Sequence, residues 1–272
     1  MLFHPIPVAL AAAIGLAACS QAAEQPGAGP STDSPDEKVQ APELPPPPKQ
    51  ETGREVSVQN DLMDFSYSYP AKAGRIPELK EELDRRLDAA RSDLERQANE
   101  DRSSAQERNY NYLRHSSATK WSVIADLPEW LSLASEFHLY FGGAHGIGGR
   151  ESFVWNKNTD RAVNPADFFI SSAALQGKAG DEICRILNIQ RSERRDVDQP
   201  GEGTAWECVD VKKATIFFGS SNGEIFDRIG FYFAPYVAGG FAEGDYEIIL
   251  PVDTGIMSVV APQYRSAFAT AR

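Results

Sequence analysis

The 272-residue sequence has little cysteine, no concentration of basic charge and no long hydrophobic run. Each shortage removes a class of protein. Three cysteines are too few to build a disulfide scaffold. Basic residues number 27 against 39 acidic, a formal net charge of −12, and no Lys/Arg cluster offsets that balance. A phosphate backbone would repel such a chain, so nucleic acid is excluded as a partner. The apolar run from Val8 to Ala18 falls well short of the roughly 20 residues that a bilayer-crossing helix needs. Histidine is scarce too, with only His4, His115, His138 and His145. What remains is 42% hydrophobic, enough for a packed core in one or two domains.

The short apolar run fits the h-region of a signal peptide over residues 1–18. Its ending, Leu16-Ala17-Ala18-Cys19, resembles the bacterial lipobox, which implies cleavage before Cys19 and a lipid on that cysteine. The segment before it, Met1 to Pro5, departs from the pattern by carrying no Lys or Arg. A plain secretory signal with an unmodified cysteine is the alternative. Ser20 rather than Asp after the cysteine implies sorting to the outer membrane, facing the periplasm. Residues 19–53 hold Pro26, Pro30, Pro35, Pro42 and the run Pro45 to Pro48 among small and polar residues. Such composition buries nothing and predicts an extended tether reaching roughly 100 Å at ~3.1 Å per residue.

Past the tether, apolar spacing alternates between strand and helix values. Phe65, Tyr67 and Tyr69 alternate with serines as a half-buried strand ending at Pro70. Ile76, Leu79, Leu83, Leu87, Ala90, Leu94 and Ala98 recur at steps of three and four, the strongest helix in the chain. Glu81–Arg85 and Glu82–Arg86 would pair on its wet face. Strands follow over Trp121–Leu127 and Leu131–Phe141, the latter turning Glu136, His138 and Tyr140 outward, and another begins at Ser152–Trp155. A second helix is expected over Ser172–Leu187, then strands at Thr215–Phe218, Ile229–Phe233 and Tyr246–Leu250 and a short helix near Ile256–Val260. Helices interrupting sequential hairpins predict an α+β fold, mostly antiparallel sheet with one long and one shorter helix.

Four groups of residues could carry chemistry. Gly219-Ser220-Ser221-Asn222-Gly223 spells a nucleophile elbow, but no histidine follows Ser221, and Asn222-Gly223 predicts a tight hairpin turn instead. Gly142-Gly143-Ala144-His145 leaves a strand without a helix beyond it, so it does not read as a phosphate loop. His138 and His145 lack metal-ligand spacing and a third ligand, so neither metal nor cofactor is expected. His145 is read as bonded to backbone, or as a binding contact. Cys184 and Cys208 remain once Cys19 is assigned to lipid; an oxidising compartment predicts their disulfide, with two buried thiols as the alternative. Tyr236, Phe241 and Tyr246 sit among Gly239, Gly240 and Gly244, and are either core or exposed anchors.

Several of these stretches resemble a known family. Tyr140 to Gly146, Trp155 to Arg161, Asn164 to Phe169, and Ile229 to Pro251 with Phe233-Ala234-Pro235-Tyr236 resemble the RsiV-like envelope domain. Val56 to Asp126 resembles its N-terminal partner, the PdaC-type domain. The resemblance divides the folded chain into residues 54–145, PdaC-like, and 146–272, RsiV-like. Asp160-Arg161 stands where the family has a Thr-Gly turn, and Val237 where an acidic residue often follows Pro-Tyr. Family members include a lysozyme-binding anti-sigma factor and the non-catalytic region of a peptidoglycan deacetylase. The resemblance thus implies a binding module for peptidoglycan or a basic wall-acting protein such as lysozyme, with no catalytic residues. Binding would fall to Gly142, Gly143, His145, Tyr236 and Phe241. A hydrolase or deacetylase acting on envelope glycan around His145 is the alternative.

Overall fold

The structure, a computed structural model, describes residues 50–197 and 206–271. The expected signal peptide, Cys19 and the tether up to residue 49 lie outside the described residues. The chain enters through β1 (Thr52–Gln59), turns into β2 (Met63–Pro70), makes one helical turn, α1 (Ala71–Gly74), and runs into α2 (Pro77–Glu107). Pro77 stands at the first position of α2, where its missing N–H removes no bond. Leu79, Leu83, Leu87, Leu94 and Ala98 form the buried stripe predicted from their spacing. Arg86 pairs with Glu82 at 2.7 Å as expected, but Arg85 turns to the same Glu82 rather than to Glu81.

The helix returns the chain to β3 (His115–Asp126), which lies parallel to β2. A parallel pair needs such a crossover. Then β4 (Trp130–Tyr140), β5 (Ile147–Asn156) and β6 (Arg161–Val163) add antiparallel strands, completing a six-stranded sheet in chain order. This sheet continues to Val163, so residues 147–163 share it with the N-terminal strands. After α3 (Ser172–Arg195) comes a second sheet of β7 (Thr215–Gly219), β8 (Arg228–Phe233) and β9 (Tyr246–Pro251), all antiparallel, and then α4 (Thr254–Val259). The fold is α+β, and among the strands of the described residues only β2 and β3 pair in parallel.

Period-two alternation stacks these elements in four layers. One face of the first sheet, with Phe65, Tyr67, Trp121, Leu131, Leu133 and Phe153, packs on α2. In the second sheet Phe218, Ile229, Phe231, Ile248 and Leu250 face α3 and α4, against Leu175, Ile183, Leu187 and Ile256. Its other face, Phe217, Tyr232 and Ile249, lies against Ala134 of β4. Gly230 is required at this seam, since a Cβ there would fall 2.1 Å from the Phe217 ring.

Several elements differ from the sequence reading: α3 runs to Arg195, eight residues past the expected Leu187, and β5 opens at Ile147, five residues before Ser152. β1 was not anticipated; as an edge strand its only half-buried apolar residues are Val56 and Val58. β3 begins at His115, six residues before Trp121, because its opening stretch is small and polar. The stretch Gly219 to Gly223 is no two-residue turn. Between β7 and β8 lies a longer loop in which Gly223 has φ +73°, while Asn222 stays outside the left-handed region and accepts from the backbone N–H of Glu224 and Ile225. Among the described residues no helix is long and apolar enough to cross a membrane.

Candidate functional site

The hairpin joining β4 to β5 must reverse directly after Phe141, and Gly142 and Gly143 do so at φ +87° and +100°. Only glycine takes such angles without steric cost. The Tyr140 hydroxyl donates to the Gly143 carbonyl at 3.0 Å and steadies the loop. The exposed His145 that follows has Nδ1 3.0 Å from the Gly146 carbonyl, the backbone bond anticipated from sequence. The Tyr236 hydroxyl stands 3.2 Å from Nε2 on the other side of the ring.

Tyr236 reaches this point from the loop between β8 and β9, 91 residues away in sequence. Phe241 of the same loop stacks on His145 with centroids 3.8 Å apart and planes at 21°. Tyr236 lies 5.5 Å from Phe241 at 29°. His145, Tyr236 and Phe241 therefore form one platform, its imidazole carried on the loop that Gly142 and Gly143 turn. Tyr236 is 65% exposed and Phe241 38%, so neither is core. Tyr246, grouped with them by sequence, is instead fully buried and donates its hydroxyl to Glu243 at 2.6 Å.

Tyr236 adopts φ +71°, a region that a bulky L residue enters only under constraint. The constraint comes from the last turns of α3. Buried Arg191 donates through Nε to the Ala238 carbonyl at 2.8 Å and through Nη1 to the Glu207 carbonyl at 3.0 Å. Arg194 donates to the carbonyls of Glu243 and Asp245, the former at 2.6 Å. Arg195 grips the Glu243 carboxylate at 2.9 Å and 3.2 Å. That grip, with bonds from the Tyr246 hydroxyl and the Gly240 amide, holds the Glu243 carboxyl down at about 2. Burial lowers the pKa of Arg191, with nearby Arg195 acting in the same sense.

Below the platform lies an open groove of about 550 Å³, lined by Glu136, His138, Gly148, Arg150, Tyr232 and Asp245 among others. Arg150 contacts Glu247, donates to Glu136 at 3.1 Å and sits 4.9 Å over the Tyr232 ring. Burial raises the pKa of the Tyr232 phenol, and neighbouring Asp245 adds to the shift. Sequence reasoning placed Glu136 and His138 outward but assigned them no role. It missed Arg150, Asp245 and the α3 arginines, whose positions depend on long-range packing. Five of the seven exposed large hydrophobics among the described residues, Tyr110, Leu113, Ile147, Tyr236 and Phe241, fall in or beside the segments that meet at this end of the sheet.

The other motifs lie elsewhere. Ser221 donates its amide and hydroxyl to the buried Asp227 carboxylate, a loop-closing arrangement with no imidazole in it. Cys184 and Cys208 are placed for a disulfide, with Cα atoms 5.2 Å apart. Among the described residues no three His, Cys, Asp or Glu side chains converge as a metal site.

No curated protein matches the chain. Among solved structures, a DUF3298 family member from Bacteroides fragilis NCTC 9343 is 16% identical, covering 80% of this chain and 95% of that one at a TM-score of 0.44. A DUF3298 family protein from Pseudomonas aeruginosa PAO1 is 13% identical, covering 80% and 96% at a TM-score of 0.44. Residues 56–148, running from within β1 to the opening of β5, match the family model described as Deacetylase PdaC.

Proposed function

We propose that the chain is a non-enzymatic binding module of the bacterial cell envelope. Lipid on Cys19 would hold it at the outer membrane, facing the periplasm. It would present the His145–Tyr236–Phe241 platform to peptidoglycan or to a basic wall-acting protein such as a lysozyme. The observation that carries this reading is Tyr236: an exposed aromatic at φ +71° in a loop gripped by three arginines of α3, of which Arg191 is buried. Backbone strain of this kind costs about 1–3 kcal/mol and persists where the position serves a use. Tyrosine is also a favoured anchor, joining apolar area to a hydroxyl. The net charge of −12 would steer a basic partner toward the chain. In an oxidising periplasm the Cys184–Cys208 pair would be bonded.

Pull-down of the purified chain on peptidoglycan sacculi and on lysozyme tests this. Tyr236→Ala and Phe241→Ala should each weaken capture about tenfold or more, since an anchor is worth about 1–3 kcal/mol. Both variants should stay folded, with melting temperatures falling by no more than the roughly 2–4 °C that about 1 kcal/mol represents in a chain of this size. Normal capture by folded variants would remove the platform as the contact face. The matched model's name favours a second reading, deacetylation or hydrolysis of envelope glycan around His145. Acetate release from acetylated glycan, lost in His145→Ala, would support that reading against the first.

A further inference from the structure

The segment that carries Cys208 and the loop that carries Tyr236 share two arginines. Arg191 spans from the Glu207 carbonyl, one residue before Cys208, to the Ala238 carbonyl, two residues after Tyr236. Arg195 has its guanidinium 4.8 Å from the centroid of the Trp206 ring while gripping Glu243, two residues after Phe241. Both arginines lie on α3, as does Cys184. One cross-link between Cys184 and Cys208 thus holds residues 206–208 against the helix whose arginines hold the platform loop. Cys208 is exposed and Cys184 half-buried, so the sulfurs are within reach of a thiolate from solvent.

We infer that the Cys184–Cys208 disulfide is a redox control on the platform: a dithiol reductant that opens it loosens the loop bearing Tyr236 and Phe241. The step is thiol–disulfide exchange. One thiolate of the reductant attacks a sulfur of the pair and displaces the other cysteine as thiolate. The second thiol then resolves the mixed disulfide. Two electrons and two protons pass to Cys184 and Cys208, and the reductant leaves as its own disulfide. Without the cross-link, Glu207 and Trp206 no longer back Arg191 and Arg195, and the Ala238 carbonyl and Glu243 carboxylate lose part of their support. This rests on the reading of the platform as the binding face only for its consequence; the coupling itself concerns the loop.

Hydrogen exchange on the full chain, oxidised and after treatment with dithiothreitol, tests the coupling. Exchange in residues 235–245 should rise about tenfold or more on reduction, while β8 (Arg228–Phe233) keeps its protection. The same local rise should appear in oxidised Arg191→Met. Unchanged loop exchange on reduction, an equal rise in β8 and the loop, or an Arg191→Met chain with a fully protected loop would each overturn the inference. Lysozyme and sacculi capture are measured on the same samples. A loosened loop with undiminished capture would count against the platform as contact face and leave the coupling standing.

Discussion

The two halves of β4 make opposite use of one strand. From Trp130 to Ser135 both faces are buried, with Leu131 and Leu133 toward α2 and Ser132 and Ala134 beneath the second sheet. The Ser132 hydroxyl even accepts from the Phe218 amide at 3.3 Å, tying the two sheets together. From Glu136 onward the second sheet no longer covers the strand, and Glu136 and His138 face the open groove. Small residues lie where a second layer must approach, and polar ones where it ends. The groove exists because the three-stranded sheet is shorter than the strand it covers.

The largest way to break that contrast is to put a charge under the covered half. Ala134 is 5% exposed against Phe217, Tyr232 and Ile249. Ala134→Glu would bury an unpaired carboxylate and overfill a packed seam, at a cost of about 3–5 kcal/mol. Chemical denaturation should show it, with the midpoint falling sharply, whereas a charge reversal at exposed Glu136 should shift the midpoint far less. Equal shifts at the two positions would mean the second sheet does not seal the first half.

How much of this could be read from sequence follows the same division. The buried stripe of α2, the alternations of β2 and β4, the apolar runs of β8 and β9 and the outward direction of Glu136 and His138 are local pattern, and local pattern is visible in a sequence. β1 and the opening of β3 were hidden because an edge strand and a bare sheet face need little apolar residue. Gly142, Gly143, His145, Tyr236 and Phe241 were singled out one by one from turn chemistry and exposed-aromatic reasoning. That the three rings would stack into one platform was not legible, since it joins loops 91 residues apart. Arg191 lay past the expected helix end at Leu187 and read as one more charge of a polar loop, whereas it sits on α3. Its burial is set by the second sheet and by residues 206–208, which no helical pattern encodes.

A smaller effect separates the clamped loop from the open groove by pH. The Glu243 carboxyl is held at about 2 in the folded chain against an ordinary 4.5, first by Arg195. A depressed carboxyl contributes stability that is fully present above about 4.5 and lost as pH falls toward 2. A charge-assisted pairing of this kind contributes about 1.5–3 kcal/mol, and partial exposure of both side chains places it at the low end. Glu243→Gln should lower the melting temperature at pH 7 and leave it nearly unchanged at pH 2. A constant difference across that range would show that the carboxylate is not what Arg195 holds.

The smallest effect on stability is expected where the effect on binding is large. At φ +71°, Tyr236 carries the left-handed penalty of about 1–2 kcal/mol that an L side chain incurs and glycine does not. Tyr236→Gly removes that penalty but adds roughly 0.5–1 kcal/mol of unfolded-chain entropy. It also gives up an exposed ring contact with Phe241 and the hydroxyl on His145. These terms nearly cancel, so the melting temperature should stay level or rise slightly while lysozyme or sacculi capture falls. Tyr236→Ala makes the complementary variant: it loses the same ring but keeps a Cβ at the strained angle, and should be less stable than the glycine variant by about 1 kcal/mol. If glycine proves the less stable of the two, the loop does not hold residue 236 in the left-handed region in solution. The platform geometry would then have to be redrawn.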